Sequence, residues 1–194
     1  MLPPLLASFI GKFPQVNLSL LNGNSREIEA ALQEHRIDLG FVEGVFRLPN
    51  IKYTTFLEDE LVAVVRTGSR LTVGEEITPE ELLHLPLVLR ERGSGTLDVF
   101  ERALQQHNIK LSSLQVLMYL GSTESIKLFL EHTDCLGIVS IRSITRELYS
   151  GQLRVVEIKG MPMLRDFSFA QPQGQESGLA QVFMQFAMHN NNKL

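Results

Sequence analysis

The chain has 194 residues, of which 44% are hydrophobic and 21% are charged, and its formal net charge is −4. This composition supports a packed core of one or two α/β units and excludes a largely disordered chain. The acidic balance gives the chain no electrostatic footprint for DNA or for an anionic membrane. Cys135 is the only cysteine, and no apolar run approaches the roughly 20 residues that span a bilayer. Without a secretory signal, we expect a cytoplasmic protein that makes no intramolecular disulfide.

The elements expected in the first half of the chain alternate between helices and strands. Pro14 ends the first helix, and Asn24 or Ser25 caps the second. Thr78 precedes Glu81 by three residues, which is the spacing of a capping box. In chain order we expect a helix at 2–13, a strand at 16–23, a helix at 24–36, a strand at 37–44, two strands within 50–66 and a helical turn at 78–85. An α/β fold normally begins with a strand, so we expect an N-terminal truncation.

The second half continues the alternation. A buried strand leads into RGSGT, and the helix behind it places Leu97, Phe100 and Leu104 on one face. The following elements are a strand at 114–122, a helix at 123–133, a strand at 135–141, a short helix at 143–151, strands at 152–160 and 166–172, and a helix at 177–189. That last helix is expected to bury Leu179, Val182, Phe183 and Phe186. Such alternation predicts an α/β fold with mostly parallel sheets.

Two segments of the chain match each other weakly. The aligned pairs are Gly23 with Gly121, Ser25 with Thr123, Ile28 with Ile126, and Leu32 with Leu130, followed by LGFV at 39–42 with LGIV at 136–139. Any two βαβ units share such turn and capping preferences, which is one explanation. Two similar lobes are the other explanation, and a cleft would then lie between the matched helix N-termini.

Three turns have the composition of an anion-binding site. Each places glycine and hydroxyl residues before a helix, whose first N–H groups are unpaired and carry partial positive charge. The turns are GNS at 23–25, RGSGT at 92–96 and GST at 121–123. Arg92 would add a charge-assisted bond to an anion. Taken singly, each turn also fits an ordinary N-cap, but all three follow expected strands, where open α/β sheets bind their ligands.

The sequence contains no recognisable catalytic or metal-binding constellation. RGSGT lacks the P-loop spacing, no dinucleotide fingerprint is present, and the five histidines have no metal-ligand spacing. Cys135 has the surroundings of a small buried hydrophobe. Glu58, Asp59 and Glu60 form a charge run typical of a solvated surface. Glu43 is the one acid placed to face a cleft, and we interpret it as a binding or gating group. We therefore expect neither an enzyme nor a cofactor.

Five stretches of the chain carry a family resemblance. They are residues 2–44, DELVAVV, PLVLRERGSGT, LGSTESIK and LGIVS, in this order over nearly the whole chain. They resemble the effector-binding domain of LysR-type transcriptional regulators. The resemblance implies an α/β fold of the type 2 periplasmic-binding-protein kind, with two Rossmann-like lobes, an interlobe cleft and the first strand missing. Lobe one would comprise 1–62 plus 166–194, and lobe two 63–165, with crossover strands near 59–65 and 164–171.

The resemblance also implies a function. The domain would bind a small anion, carboxylate or amino-acid-like metabolite in the cleft and bias a dimer between conformations. The implied effector-binding residues, with Arg92 added, are Asn24, Ser25, Glu43, Gly44, Arg92, Gly93, Ser94, Gly95, Thr96, Ser122 and Thr123. A carboxylate at Glu43 would repel sulfate unless the ligand carries an amine or a cation is present.

The partners follow from the same resemblance. The family's winged helix-turn-helix is missing from this chain, so DNA would be contacted only through that N-terminal domain. A homodimer is implied, with a tetramer for the full-length protein and the helix at 2–13 as the partner face. That helix's apolar stripe is equally consistent with a core position. A solute-binding protein of a transport system is the alternative function, and an enzyme on the same scaffold is a third.

Overall fold

The computed structural model describes residues 2–45, 47–71, 74–174 and 178–190. Its α-helices are α1 (Leu2–Lys12), α2 (Ser25–Gln33), α3 (Gly95–Gln106), α4 (Thr123–His132), α5 (Thr145–Tyr149) and α6 (Gly178–Asn190). Its strands are β1 (Gly40–Glu43), β2 (Ile51–Arg66), β3 (Glu76–Ile77), β4 (Pro86–Arg90), β5 (Gln115–Leu120), β6 (Leu136–Ser140), β7 (Leu153–Ile158) and β8 (Leu164–Pro172). Three 3₁₀ turns lie at Pro79–His84, Leu111–Ser113 and Ile141–Ile144.

The contacts within the chain divide it into two compact units. Unit 1 comprises Met1–Val42, Arg47–Phe56 and Ser168–Leu194. Unit 2 comprises Glu43–Phe46 and Leu57–Phe167. The chain therefore passes between the units within β2 and within β8. The short excursion at Glu43–Phe46 was not expected, and it assigns Glu43 to unit 2.

Unit 1 is built on three strands in the order β1-β8-β2. Side chains of successive strand residues point to opposite faces, so Phe169 and Ala170 belong to different layers. Ala170 packs in a cluster with Ile28 and Leu32 of α2. Phe169 lies on the aromatic side, where its ring centroid is 6.1 Å from that of Phe183 in α6.

Phe9 joins α1 to α6 in that aromatic layer. Its side chain is only 1% exposed, and its ring centroid lies 4.7 Å from that of Phe13, 5.1 Å from Phe183 and 5.3 Å from Phe186. These tilted and edge-on arrangements are the ones that aromatic pairs prefer. The apolar stripe of α1 therefore belongs to the core at Leu5 and Phe9, whereas Ile10 is 45% exposed.

Unit 2 contains a mixed sheet in the order β2-β6-β4-β5, with β7 pairing β2 and β3. β4 runs parallel to both β5 and β6, whereas β2 is antiparallel to β6 and β7. The expected Leu97, Phe100 and Leu104 are all buried on α3, which confirms the predicted face. The carboxyl ends of β4 and β5 meet at one edge of this sheet, and α3 and α4 begin there.

The two aligned segments share a packing contact as well as a sequence pattern: in each, a helix packs against a glycine of a strand. In unit 1 a Cβ at Gly40 would lie 2.9 Å from atoms of both Ile28 and Leu32. These two residues lie one turn apart on α2, so the helix rests directly on the strand backbone.

Unit 2 has the same helix–glycine contact, formed by the residues that align with those of unit 1. A Cβ at Gly137 would lie 2.9 Å from Leu130 and 3.0 Å from Ile126. Glycine in β1 and β6 therefore lets a helix approach the sheet closely in each unit, which explains why the two segments align at these positions.

The prediction of a strand at 16–23 is wrong. Those residues form no strand in the structure, and Leu18, Leu20 and Leu21 are 42%, 63% and 44% exposed. An alternating apolar pattern produces a strand only where a neighbouring backbone supplies hydrogen-bond partners. Among the described residues no strand pairs with this segment.

Two further expectations need correction. Residues 51–66 form one continuous strand rather than two, because β8 neighbours β2 in the sheet and the segment 61–66 of β2 pairs with β6 and β7. In α6, Leu179 and Val182 are exposed, and the buried face carries Ala180, Phe183 and Ala187. The apolar residues of α6 lie on all sides of the helix, so their spacing does not indicate which face is buried.

None of the helices in the described ranges has the length and hydropathy that a membrane crossing requires.

The predicted capping box at Thr78 is present, and the Thr78 N–H donates to Glu81 Oε2 at 2.7 Å. The turn that it starts is a 3₁₀ helix.

We expect Phe9→Ala to lower the free energy of unfolding by about 3–5 kcal/mol, because it removes a buried aromatic side chain and leaves a cavity between α1 and α6. Leu179→Ala is the matched control, since this α6 side chain is 61% exposed, and it should change stability by less than about 0.5 kcal/mol. Urea unfolding followed by circular dichroism measures both. Equal stabilities of the two variants would contradict this account of the core.

Candidate functional site

The N-terminus of α3 is built by the turn that follows β4. Gly93 has φ +93°, a conformation that favours glycine. Ser94 is the N-cap and accepts a hydrogen bond from the Thr96 N–H at 3.3 Å. Ser94 and Thr96 are 1% and 3% exposed. The hydroxyl-rich turn predicted from RGSGT is therefore present at a helix start, but its side chains are buried in unit 2.

Glu43 lies directly against this helix start. Thr96 Oγ1 donates to Glu43 Oε1 at 3.1 Å. A Cβ at Gly95 would overlap the Glu43 carbonyl oxygen and lie 2.6 Å from its carbonyl carbon. Gly44 has φ +126°, and a Cβ there would lie 3.2 Å from Gly95 Cα. Four predicted site residues thus meet, and a carboxylate of the protein itself lies beside the positive end of α3.

Arg165 of β8 completes this cluster and was missed by the sequence analysis. Its guanidinium contacts Glu43 Oε2 at 2.8 Å and Asp59 Oδ2 at 2.8 Å, and it donates to Thr96 Oγ1 at 2.9 Å. The Arg165 side chain is only 2% exposed. The sequence did contain a signal for its burial, because strand alternation places Arg165 on the same face as Phe167 and Phe169.

Asp59 was wrongly interpreted as part of a solvated charge run. Its side chain is fully buried, whereas its neighbours Glu58 and Glu60 are exposed. Ser140 Oγ donates to Asp59 Oδ1 at 2.8 Å, so both carboxylate oxygens have partners. The period of two along β2 turns the middle acid inward and the flanking acids outward.

The N-terminus of α4 offers a more accessible arrangement. Ser122 is its N-cap and accepts from the Ser125 N–H at 3.1 Å. Ser122 and Thr123 are half-buried and Gly121 is exposed. Because α4 follows β5, which neighbours β4 in parallel, this helix start lies beside the turn that leads to α3.

An arginine connects the two turns. Arg90 donates to the Gly121 carbonyl at 3.4 Å and forms an ion pair with Glu91 at 2.8 Å. The Glu91 N–H donates to the Leu120 carbonyl at 3.2 Å. Arg92, the arginine chosen from the sequence, is exposed. Arg90 therefore holds the two turns together.

The third predicted turn lies in unit 1. Asn24, not Ser25, is the N-cap of α2, and a capping box joins it to Glu27: the Glu27 N–H donates to Asn24 Oδ1 at 3.0 Å, and the Asn24 N–H donates to Glu27 Oε2 at 2.9 Å. This reciprocal pairing satisfies two N–H groups at the start of α2.

Cys135 is the small buried side chain that was predicted. Cys135 is fully buried, and burial raises the pKa of its thiol to about 11, so it is inert as a nucleophile at neutral pH. The described part of the chain contains no group of three or more His, Cys, Asp or Glu residues that would hold a metal ion.

These features match a class of binding proteins whose members have been solved. The regulatory domain of CcmR from Synechocystis PCC6803, in complex with 2-PG, superimposes with a TM-score of 0.83. Its sequence is 26% identical, and the match covers 97% of this chain and 89% of that one. The predicted α/β fold of the type 2 periplasmic-binding-protein kind is thereby confirmed.

The chain belongs to the LysR substrate binding domain family, whose family model matches residues 1–191. The transcriptional regulator YeiE of Escherichia coli K12 is 35% identical over 81% of this chain and 52% of its own length. The transcriptional activator CmpR of Synechocystis is 30% identical over 95% of this chain and 60% of its own length. The chain thus spans about half to three-fifths of these relatives. The family is one of transcriptional regulators, which are not enzymes, in agreement with the prediction.

We expect Gly95→Ala to destabilise the protein by about 1–3 kcal/mol, because a new methyl group would collide with the Glu43 backbone and displace α3. Gly121→Ala is the matched control, since nothing lies within 4 Å of a Cβ there, and its effect should stay below about 0.5 kcal/mol. Thermal unfolding of both variants checks this. A Gly95→Ala variant as stable as the wild type would show that Glu43 and α3 are not in this close contact.

Proposed function

We propose that the chain is the effector-sensing part of a cytoplasmic transcriptional regulator. It binds a small anionic or amino-acid-like metabolite and couples its binding to transcription control by a DNA-binding domain. Membership of the family and the likeness to a regulatory domain solved with 2-PG support this proposal. The relatives named above are regulators, and they favour this function over a solute-binding protein of a transport system.

The observation that carries the proposal is the pair of helix starts beside each other in unit 2. The turns before α3 and α4 follow neighbouring parallel strands, and open α/β sheets bind ligands at such ends. Each turn contributes N–H groups and hydroxyls that suit an anion. Gly93, Ser94, Gly95 and Thr96 come from one turn, and Ser122 and Thr123 from the other.

We assign the effector's anionic group to the α4 start. The α3 start already has the Glu43 carboxylate beside it, and Ser94 and Thr96 are buried. Ser122 and Thr123 are half-buried and lie at the adjacent turn. Gly44 and Arg92 would border the ligand from the α3 side.

The test is a thermal-shift screen with an external dye, because the chain has no tryptophan. The panel comprises 2-PG, sulfate, phosphate, acetylserine, amino acids and dicarboxylates. A ligand at 100 times its Kd should add about 2.7 kcal/mol, which corresponds to about 5–10 °C for a chain of this size.

Thr123→Val should reduce the affinity for the active ligand about tenfold, because it removes a hydroxyl from the α4 start. Ser112→Ala is the control, since this serine is exposed and lies away from both turns. Each ligand shift is compared with the same variant's own melting temperature, and calorimetry gives the Kd. Unchanged affinity in Thr123→Val would contradict the α4 assignment, and no shift with any panel member would contradict the effector class.

We also propose that the chain forms a homodimer through α1 and the segment after it, and that the full-length protein is a tetramer. Ile10, Leu18 and Leu20 are 45%, 42% and 63% exposed in the isolated chain. Apolar side chains that lie close together on a surface are typical of protein interfaces. No membrane partner is proposed.

We expect Leu20→Asp to shift sedimentation from dimer to monomer at tens of micromolar, because a buried unpaired carboxylate opposes association. Tyr149→Asp is the control: this side chain is 90% exposed on α5, and the variant should sediment as the wild type does. A wild-type chain that stays monomeric at the highest concentration would contradict the dimer.

A further inference from the structure

Every passage of the chain between the two units lies in one of three segments. They are the excursion Glu43–Phe46, strand β2 at Phe56–Leu57, and strand β8 at Phe167–Ser168. On the unit 2 side, each segment contributes one ionisable side chain close to its passage: Glu43, Asp59 and Arg165. These three side chains form a single cluster, here called the connection clamp.

The connection clamp is joined by short contacts. Arg165 Nη2 lies 2.8 Å from Glu43 Oε2 and 2.8 Å from Asp59 Oδ2, and Arg165 Nε donates to Asp59 Oδ2 at 2.8 Å. The guanidinium carbon lies 5.0 Å from the centre of the Phe167 ring, within the range of a cation–π contact. One guanidinium therefore binds both of the other segments.

The connection clamp is also bonded to the start of α3. Thr96 Oγ1 accepts from Arg165 Nη1 at 2.9 Å and donates to Glu43 Oε1 at 3.1 Å. A single hydroxyl is thus hydrogen-bonded to two clamp members. A displacement of Thr96 must alter its geometry with Glu43, with Arg165 or with both.

Burial makes these bonds difficult to exchange. The side chains of Arg165 and Asp59 are 2% and 0% exposed, so water does not readily replace a lost partner. Breaking a buried pair by removing one member leaves an uncompensated charge, which is strongly destabilising. Arginine suits the position because its planar fork reaches several acceptors at once, whereas a lysine ammonium is a single point charge.

We propose that Arg165 is a positioning residue that couples the start of α3 to all three segments connecting the units. This inference rests on the proposed function, because the start of α3 lies beside the α4 start, to which we assign the effector's anionic group. Movement of Thr96 on effector binding is passed through Arg165 to Glu43 and Asp59, and so to the connections themselves.

The test is hydrogen exchange measured by mass spectrometry on the 194-residue chain. Arg165→Lys keeps the positive charge but loses the planar guanidinium that contacts several acceptors. Peptides covering 43–45, 57–63 and 164–167 should then all exchange at least about tenfold faster. Peptides from α4 and from α1 should be unchanged. If only the β8 peptide changes, Arg165 is a local contact of its own strand and the proposal is overturned.

Arg66→Lys is the matched control. Arg66 lies on the same strand as Asp59 and pairs with Asp134 at 2.7 Å, outside the connection clamp. This variant should accelerate exchange near residues 66–70 and 134 while leaving 43–45 and 164–167 as in the wild type. A response of the clamp peptides equal to that of Arg165→Lys would overturn the proposal, because it would show general loosening of unit 2.

A charge-neutral variant covers the case in which an arginine variant fails to fold. Glu43→Gln, Asp59→Asn and Arg165→Met together remove the buried charges, and this triple variant should be more stable than Arg165→Met alone. A triple variant no more stable than Arg165→Met would overturn the proposed coupling among the three side chains.

These measurements need no ligand, so they are independent of the thermal-shift screen. A screen without any hit contradicts the proposed function, whereas unaltered exchange at 43–45 and 57–63 in Arg165→Lys contradicts the connection clamp. With a ligand found in the screen, wild-type exchange at 43–45 should change on binding. Loss of that change in Arg165→Lys, with the Kd kept within about threefold, supports the coupling.

Discussion

The buried guanidinium of Arg165 imposes the constraint on which the site geometry depends. It carries five N–H donors and no acceptor, so a side chain that is 2% exposed needs oxygen atoms around it. Asp59, Glu43 and Thr96 supply those atoms from three separate parts of the chain. Satisfying one arginine therefore brings the Glu43 segment against the start of α3, and only a residue without a Cβ fits at Gly95.

Two turns of similar composition acquire different chemistry because of this constraint. Both follow parallel strands of one sheet, and both present hydroxyls at the start of a helix. The α3 start has the Glu43 carboxylate beside it, whereas Ser122 and Thr123 at the α4 start are half-buried. Glycine and serine before a helix thus indicate where an anion is stabilised, and distant residues decide whether that anion is a ligand or a side chain.

Features that depend on the spacing of nearby residues were predicted correctly from the sequence. Features that depend on contacts between residues far apart in the chain were missed. The α3 face and the capping box at Thr78 follow from short-range spacing, the family was identified by resemblance, and all three were confirmed. Asp59 was misjudged because its neighbours in sequence are acidic, while its burial depends on Ser140 and Arg165, which are 81 and 106 residues away. Strand pairing likewise decided that 16–23 forms no strand and that β2 is continuous, and a single sequence gives no pairing information.

The pairing of Glu43 also bears on which metabolites the proposed effector site would select. From the sequence, a lone carboxylate there would repel sulfate and favour a ligand that carries an amine. In the structure one oxygen of Glu43 accepts from Thr96, and the other lies 2.8 Å from the Arg165 guanidinium. An opposite charge at this distance offsets much of the field that an approaching anion experiences. Repulsion by Glu43 is therefore a weaker criterion than the sequence indicated. In the proposed effector site, the choice between an anion and an amino acid would depend more on the hydroxyls and N–H groups of the α4 start.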